Sequence, residues 1–115
     1  MNDVNEIVAN ILQELKRGTI IMCVMSQLFE PTYGYSLVQS LEEKGYSLDA
    51  STLYPLMRRL QSQEILTSEW ETTGTKPRKY YRLSPKGIQV YNILKVEWAK
   101  MVQEINKIIL KGELK

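Results

Sequence analysis

The chain has no histidine and only one cysteine and one phenylalanine. Without histidine it lacks the side chain most often used as a general base near neutral pH and the commonest metal ligand. Cys23 can form no internal disulfide, and no imidazole is present to activate it. It is expected to be a buried, inert thiol in a chain suited to a reducing cytoplasm. Neither a metal-ligand cluster nor a phosphate-binding glycine pattern is present. Glu42 and Glu43 diverge on a helix, while Glu69 and Glu71 have no catalytic partner, so all four read as solvating charges. An enzyme, a cofactor and a metal site are therefore not expected. Long apolar runs are also missing: Thr19 to Phe29 is too short to span a bilayer. The segment Met1 to Glu6 lacks the positive stretch of a signal peptide, so a soluble, cytoplasmic protein without a membrane partner is expected.

A length of 115 residues with 43% hydrophobic side chains suits one domain with one core. The net charge of +2 is unevenly spread along it. Residues 1–50 hold three basic and seven acidic side chains, residues 51–82 six and three, and residues 83–115 six and three. A basic middle segment points to a polyanionic partner.

Within that segment, Asp49 to Gln63 reads as a helix with two unlike faces. Leu53, Leu56, Met57 and Leu60 recur at spacings of three and four and form a stripe that must pack. Ser51, Tyr54, Pro55, Arg58 and Ser62 fall opposite, with Thr52 and Arg59 beside them. Hydroxyls and guanidinium groups on one helical face are suited to base edges and phosphates, which makes this the candidate recognition helix. An ordinary amphipathic helix with a solvated outer face is the alternative. Asp49 or Ser51 is the candidate cap. Pro55 requires a start close to Asp49, because proline is tolerated only near the first turn.

Val4, Ile7, Val8, Ile11, Leu12 and Leu15 predict an amphipathic helix over 3–16, which Gly18 interrupts. Thr19 to Phe29 should continue as a buried central helix ended by Pro31. Thr32 can then cap a helix over Tyr33 to Lys44, with Leu37, Val38 and Leu41 inward and Gly45 as its stop. Two short helices, a tight link and a polar-faced third helix follow the order of a helix-turn-helix. After Ile65 the period becomes alternating. Leu66 to Thr72 and Arg78 to Leu83 read as two strands of a β-hairpin joined by a turn with Gly74. Tyr81 and Leu83 share its inner face, while Arg78, Tyr80 and Arg82 share the other. Lys76, Arg78 and Lys79 make the hairpin basic, either to lie along a phosphate backbone or as charges guarding an edge strand.

Ser84 and Pro85 start a last helix reaching about Lys111. Tyr91, Leu94, Trp98, Met101, Ile105 and Ile108 form a heptad seam. A helix of about 27 residues is roughly 40 Å long, more than a domain of this size covers. A homodimer is expected, with this seam and Val8 and Ile11 of the first helix at its interface. The fold class is mainly α with a small β-hairpin.

Three motifs in this order resemble the PadR family of bacterial transcriptional regulators, specifically short members with one C-terminal helix. They are Tyr33-Gly34-Tyr35-Ser36-Leu37, Thr52 to Leu60, and Pro77 to Ser84 followed by Gly87, within a match over about residues 17 to 98. The resemblance implies a winged helix-turn-helix domain over 1–83 and a dimerisation helix over 84–115. It implies a repressor that binds a pseudo-palindromic operator in double-stranded DNA. Tyr35, Ser51, Thr52, Tyr54, Arg58, Arg59, Lys76, Arg78 and Lys79 are the residues expected at or near the duplex. Trp98 matches the place where drug-binding relatives hold an interfacial tryptophan, which implies a small aromatic effector stacked there; its alternative is filler of the seam. The sequence departs from many relatives at Ser51, where they have glycine, and at Gly74-Thr75-Lys76, where they carry Gly-Gly-Arg or Gly-Arg. A winged-helix module that binds another protein is the alternative function.

Overall fold

The computed structural model describes residues 3–111. Its elements are α1 (Val4–Arg17), α2 (Ile20–Ser26), β1 (Thr32–Tyr33), α3 (Gly34–Glu43), α4 (Ala50–Ser62), β2 (Leu66–Glu71), β3 (Arg78–Leu83) and α5 (Pro85–Ile109). The chain is mostly helical, with one antiparallel sheet in the order β1-β3-β2. Local chemistry sets most of the ends. The Asp3 carboxylate accepts the Glu6 N–H at 2.8 Å and opens α1. The Asp49 carboxylate accepts the Thr52 N–H at 2.9 Å and opens α4. Gly45 takes a left-handed φ of 85°, and the Tyr46 N–H returns to the Leu41 carbonyl at 2.8 Å to close α3.

One core joins α2, α3, α4 and the sheet. Met25 and Leu28 meet Leu37 of α3, the Leu53, Met57 and Leu60 stripe of α4, and Leu66, Tyr81 and Leu83 of the sheet. Each of these aliphatic side chains contributes about 1.5–3 kcal/mol by leaving water. Leu56 is only half-buried, at the edge of the stripe.

Four expectations are corrected here. Helix α2 covers Ile20–Ser26 rather than Thr19 to Phe29. Leu28 plunges into the core and its carbonyl accepts the Leu83 N–H at 2.7 Å, so a bond to the sheet replaces helical pairing well before Pro31. Thr32 does not cap α3. Its hydroxyl donates to the Glu30 carbonyl at 3.0 Å, and with Tyr33 it pairs against Tyr81 and Tyr80 of β3, which turns the expected hairpin into three strands. Helix α3 consequently begins at Gly34, with Tyr33 as a cap that makes no side-chain bond, and ends at Glu43 rather than Lys44. Pro55 lies in the second turn of α4 rather than the first. Having no N–H, it leaves the Ser51 carbonyl without its helical donor.

Helix α5 is tied down at its start. The Ser84 hydroxyl accepts the Gly87 N–H at 2.9 Å, and its proton lies between the carbonyls of Glu64 at 2.6 Å and Ile65 at 3.1 Å. The Ser84 N–H also meets the Ile65 carbonyl, at 2.9 Å. Beyond this anchor Ile88, Val90, Tyr91 and Leu94 pack on the core, and Phe29 meets the Tyr91 ring edge-on, centroids 5.3 Å apart. From Trp98 onward the seam is bare: Trp98, Met101, Ile105 and Ile108 are exposed, as are Val8, Ile11 and the rest of the apolar face of α1.

A methyl group on Gly87 would lie 2.1 Å from the Ile65 carbonyl oxygen, a backbone atom held in place by Ser84. Gly87→Ala should therefore destabilise the fold by about 2 kcal/mol or more. The thermal midpoint at fixed protein concentration is the readout, and an unchanged midpoint contradicts the close approach.

Candidate nucleic-acid interface

Burying Leu53, Met57 and Leu60 turns the opposite side of α4 outward. Ser51, Thr52, Pro55, Arg58, Arg59 and Ser62 are all exposed on it, as the spacing predicts. Two of these groups are engaged within the helix. The Ser51 hydroxyl donates to the Asp49 carboxylate at 2.7 Å, and the Ser62 hydroxyl donates to the Arg59 carbonyl at 2.7 Å. Ser51 thus serves the cap, leaving its oxygen lone pairs as the available chemistry.

Tyr54 departs from the expected solvent-facing position. It is half-buried because Gly34, at the start of α3, has no side chain: a methyl group there would lie 2.6 Å from the Tyr54 hydroxyl. The Tyr54 ring thereby bridges α4 to the amino end of α3. Tyr35, next in the chain, is 70% exposed, and its hydroxyl accepts from the Gln39 amide at 3.3 Å.

The hairpin completes this surface. Register pairs Trp70 with Lys79 and Ser68 with Tyr81, so these four side chains share the sheet face that also carries the buried Leu83. The Lys79 ammonium lies over two rings, 5.8 Å from the Trp70 centroid and 5.4 Å from the Tyr81 centroid. A cleft of about 530 Å³ runs between this face and the helices, lined by residues that include Tyr35, Ser36, Tyr54, Trp70 and Lys79. Burial pushes the Tyr81 hydroxyl above the ordinary phenol value; Tyr54 adds to the shift and the Arg58 charge opposes it.

The other sheet face uses its carboxylates internally. Tyr33 donates its hydroxyl proton to Glu71, and Tyr80 donates to Glu69 at 3.0 Å. These bonds hold both phenols above their ordinary pKa and Glu71 below its own. The Arg78 guanidinium lies over the Tyr33 ring at 5.4 Å from the centroid. Arg78 therefore sits on the opposite sheet face from Lys79, and Lys76 is exposed in the connecting loop. Both ion pairs among the described residues, Lys86 with Glu64 and Lys100 with Glu97, lie on α5 or at its start. Arg58, Arg59, Lys76, Arg78 and Lys79 are in neither.

The structure thus brings Tyr35, Tyr54, Arg58 and Lys79 to one surface, with Ser51, Thr52 and Arg59 along the same helix. Lys76 and Arg78 stand at the hairpin's tip and reverse face. Trp70 was not singled out from the sequence, although strand alternation together with the register opposite Lys79 marks it. Guanidinium, ammonium and hydroxyl donors on a protruding helix beside a basic hairpin match the acceptors of a duplex groove and its phosphates.

The family model described as the transcriptional regulator PadR-like family matches residues 21–93. A crystal structure of a PadR family transcriptional regulator from Eggerthella lenta is 47% identical, with a TM-score of 0.89 over 94% of this chain and 96% of that one. A PadR-like transcription factor from Bacteroides fragilis is 35% identical, with a TM-score of 0.72 over 86% and 98% of the two chains. A transcriptional regulator of Mycobacterium tuberculosis is 29% identical over 77 residues, 66% of this chain and 72% of its own length.

The cap of α4 generates a pH dependence. Bonds from the Ser51 hydroxyl, first, and from Thr52 hold the Asp49 carboxyl below its ordinary value. A depressed folded-state pKa means that this stabilisation is present above the unfolded value, about 3.9, and is lost as pH falls through the folded one. The Thr52 amide resonance should shift with a midpoint below about 3.9. Asp49→Asn should abolish that titration, and a midpoint at the ordinary value would contradict the bonded carboxylate.

Proposed function

Because the chain belongs to the PadR-like family of transcriptional regulators, we propose that it is a sequence-specific repressor that binds a pseudo-palindromic operator as a homodimer. Members of this family are regulators rather than enzymes, and DNA is the partner of their winged helix. The observation that carries the reading is the exposed outer face of α4, flanked by Tyr35 of α3 and by Lys79 on the hairpin, with its cations outside any ion pair. In this reading residues 1–83 bind DNA and residues 84–115 dimerise. Ser51, Thr52, Arg58 and Arg59 face the major groove, Tyr35, Tyr54 and Lys79 meet the flanking backbone, and Lys76 and Arg78 follow the adjacent minor groove or its phosphates.

The bare apolar faces of α1 and α5 support the dimer. Val8 and Ile11, with Trp98, Met101, Ile105 and Ile108, await cover, while Tyr91 and Leu94 extend the seam from the chain's own core. Two recognition helices about 34 Å apart would enter successive major grooves. Trp98, 40% exposed where α5 leaves its own core, is the residue proposed to stack on a flat aromatic effector. Such a ligand releases DNA only by favouring a dimer geometry in which the two helices no longer match the groove spacing.

The test is titration of the intact protein against a duplex from upstream of its own gene and against a scrambled duplex, at several salt concentrations. Specific regulation requires at least ~10³-fold tighter binding to the first, with two chains per duplex. Absence of binding to either duplex would favour a winged-helix module that docks on protein. Arg58→Ala should cost about 1–3 kcal/mol on the operator and relax the preference at one base position. Equal losses on both duplexes contradict that role. Lys79→Ala should weaken both alike and reduce the slope of log K against log salt by about 0.9; an unchanged slope removes Lys79 from the phosphate contacts.

A further inference from the structure

A second cationic edge lies at the end of α1, outside the surface described above. Residues 1–50 contain three basic side chains against seven acidic ones, and two of the three, Lys16 and Arg17, are adjacent. Their end of the helix is fastened to the turn that precedes α4. The Tyr46 hydroxyl donates to the Lys16 carbonyl at 2.8 Å and lies 2.9 Å from the Thr19 hydroxyl. The Lys16 ammonium sits over the Tyr46 ring, 5.6 Å from its centroid. A cleft of about 320 Å³ separates the two elements, with Lys16 and Arg17 on one wall and Asp49 and Thr52 of the α4 start on the other.

Among the described residues, neither cation has a carboxylate within 4.0 Å. Asp49 is the only acid lining the cleft, and its oxygen accepts from Ser51 and Thr52. Basic residues in the last turn of a helix also complement its dipole. That role requires neither the anchor on the turn nor a position beside the candidate recognition helix.

The placement relative to α4 is what matters. Thr52 and Tyr54 are two residues apart, about 200° around the helix axis. Tyr54 lines the cleft toward the hairpin and Thr52 lines this one, so the two clefts flank α4 on opposite sides, with Ser51 and Arg58 between them. A major groove is likewise bounded by two phosphate backbones.

We propose that Lys16 and Arg17 bind backbone phosphates of the DNA strand lying across the major groove from the strand that the hairpin meets. The inference rests on the reading of α4 as the DNA-facing helix. It makes the end of α1 part of the DNA grip and leaves base selection to α4.

The test compares the intact protein with Lys16→Gln/Arg17→Gln, on the upstream and scrambled duplexes, across a salt series. Two lost phosphate contacts should reduce the slope of log K against log salt by about 1.8, and both duplexes should weaken in the same proportion. Ethylation interference should disappear at phosphates on one flank and persist on the hairpin side. Lys16→Arg should retain the parental slope. If the double variant is unfolded or monomeric, Arg17→Gln alone should lower the slope by about 0.9. A parental slope in a folded variant overturns the proposal, including the case where only the thermal midpoint falls, which would assign the pair to the helix dipole. If the parent binds neither duplex, the DNA-facing reading of α4 fails as well, so the two failures are distinguishable.

Discussion

At the Ile65 carbonyl three elements meet within bonding distance. The carbonyl ends the link from α4, accepts the Ser84 N–H, shares the Ser84 hydroxyl proton and lies against the one position of α5 that carries no side chain, Gly87. The Ile65 N–H in turn returns to the Leu60 carbonyl at 2.9 Å. The direction of the long helix is thus set by backbone atoms one residue removed from the hairpin and five from the last core leucine of α4. Side-chain packing alone tolerates small adjustments, whereas a backbone junction of this kind leaves few. Everything proposed about spacing between two copies depends on this fixed angle.

The polar groups are arranged with a similar division. On the reverse face of the sheet, Glu69 and Glu71 accept from tyrosine hydroxyls. On α4, the cap and the last turn bind their own hydroxyls. The cations beside them lie outside the ion pairs. Binding an anion there breaks no internal ion pair, so attraction is opposed mainly by desolvation and side-chain entropy.

Much of this was legible in the sequence because it rests on local rules. Asp49 as cap, the Leu53, Met57 and Leu60 stripe, the Ser84-Pro85 start and the alternation of Tyr81 and Leu83 need only neighbours within a few residues. What escaped depends on partners far along the chain. Strand β1 is two residues long and has no period to read; only β3, nearly fifty residues later, defines it. The early end of α2 follows from the Leu28 bond to Leu83, and the half-burial of Tyr54 from the bare backbone of Gly34. Trp70 and the Lys16 cleft enter the picture through sheet register and the Tyr46 bond, neither of which a linear pattern reports.

The unequal anchoring of α5 gives it the mechanics of a lever. Its first turns are clamped by Ser84, Gly87, Tyr91 and Leu94, and the portion from Trp98 to Ile109 projects past the chain's own core. That projection is about 18 Å long at 1.5 Å per residue, so a tilt of about 10° at the clamped base displaces the tip by roughly 3 Å. The gearing also runs backward: pressure on the projecting tip reaches the base as torque, at the junction from which α4 departs.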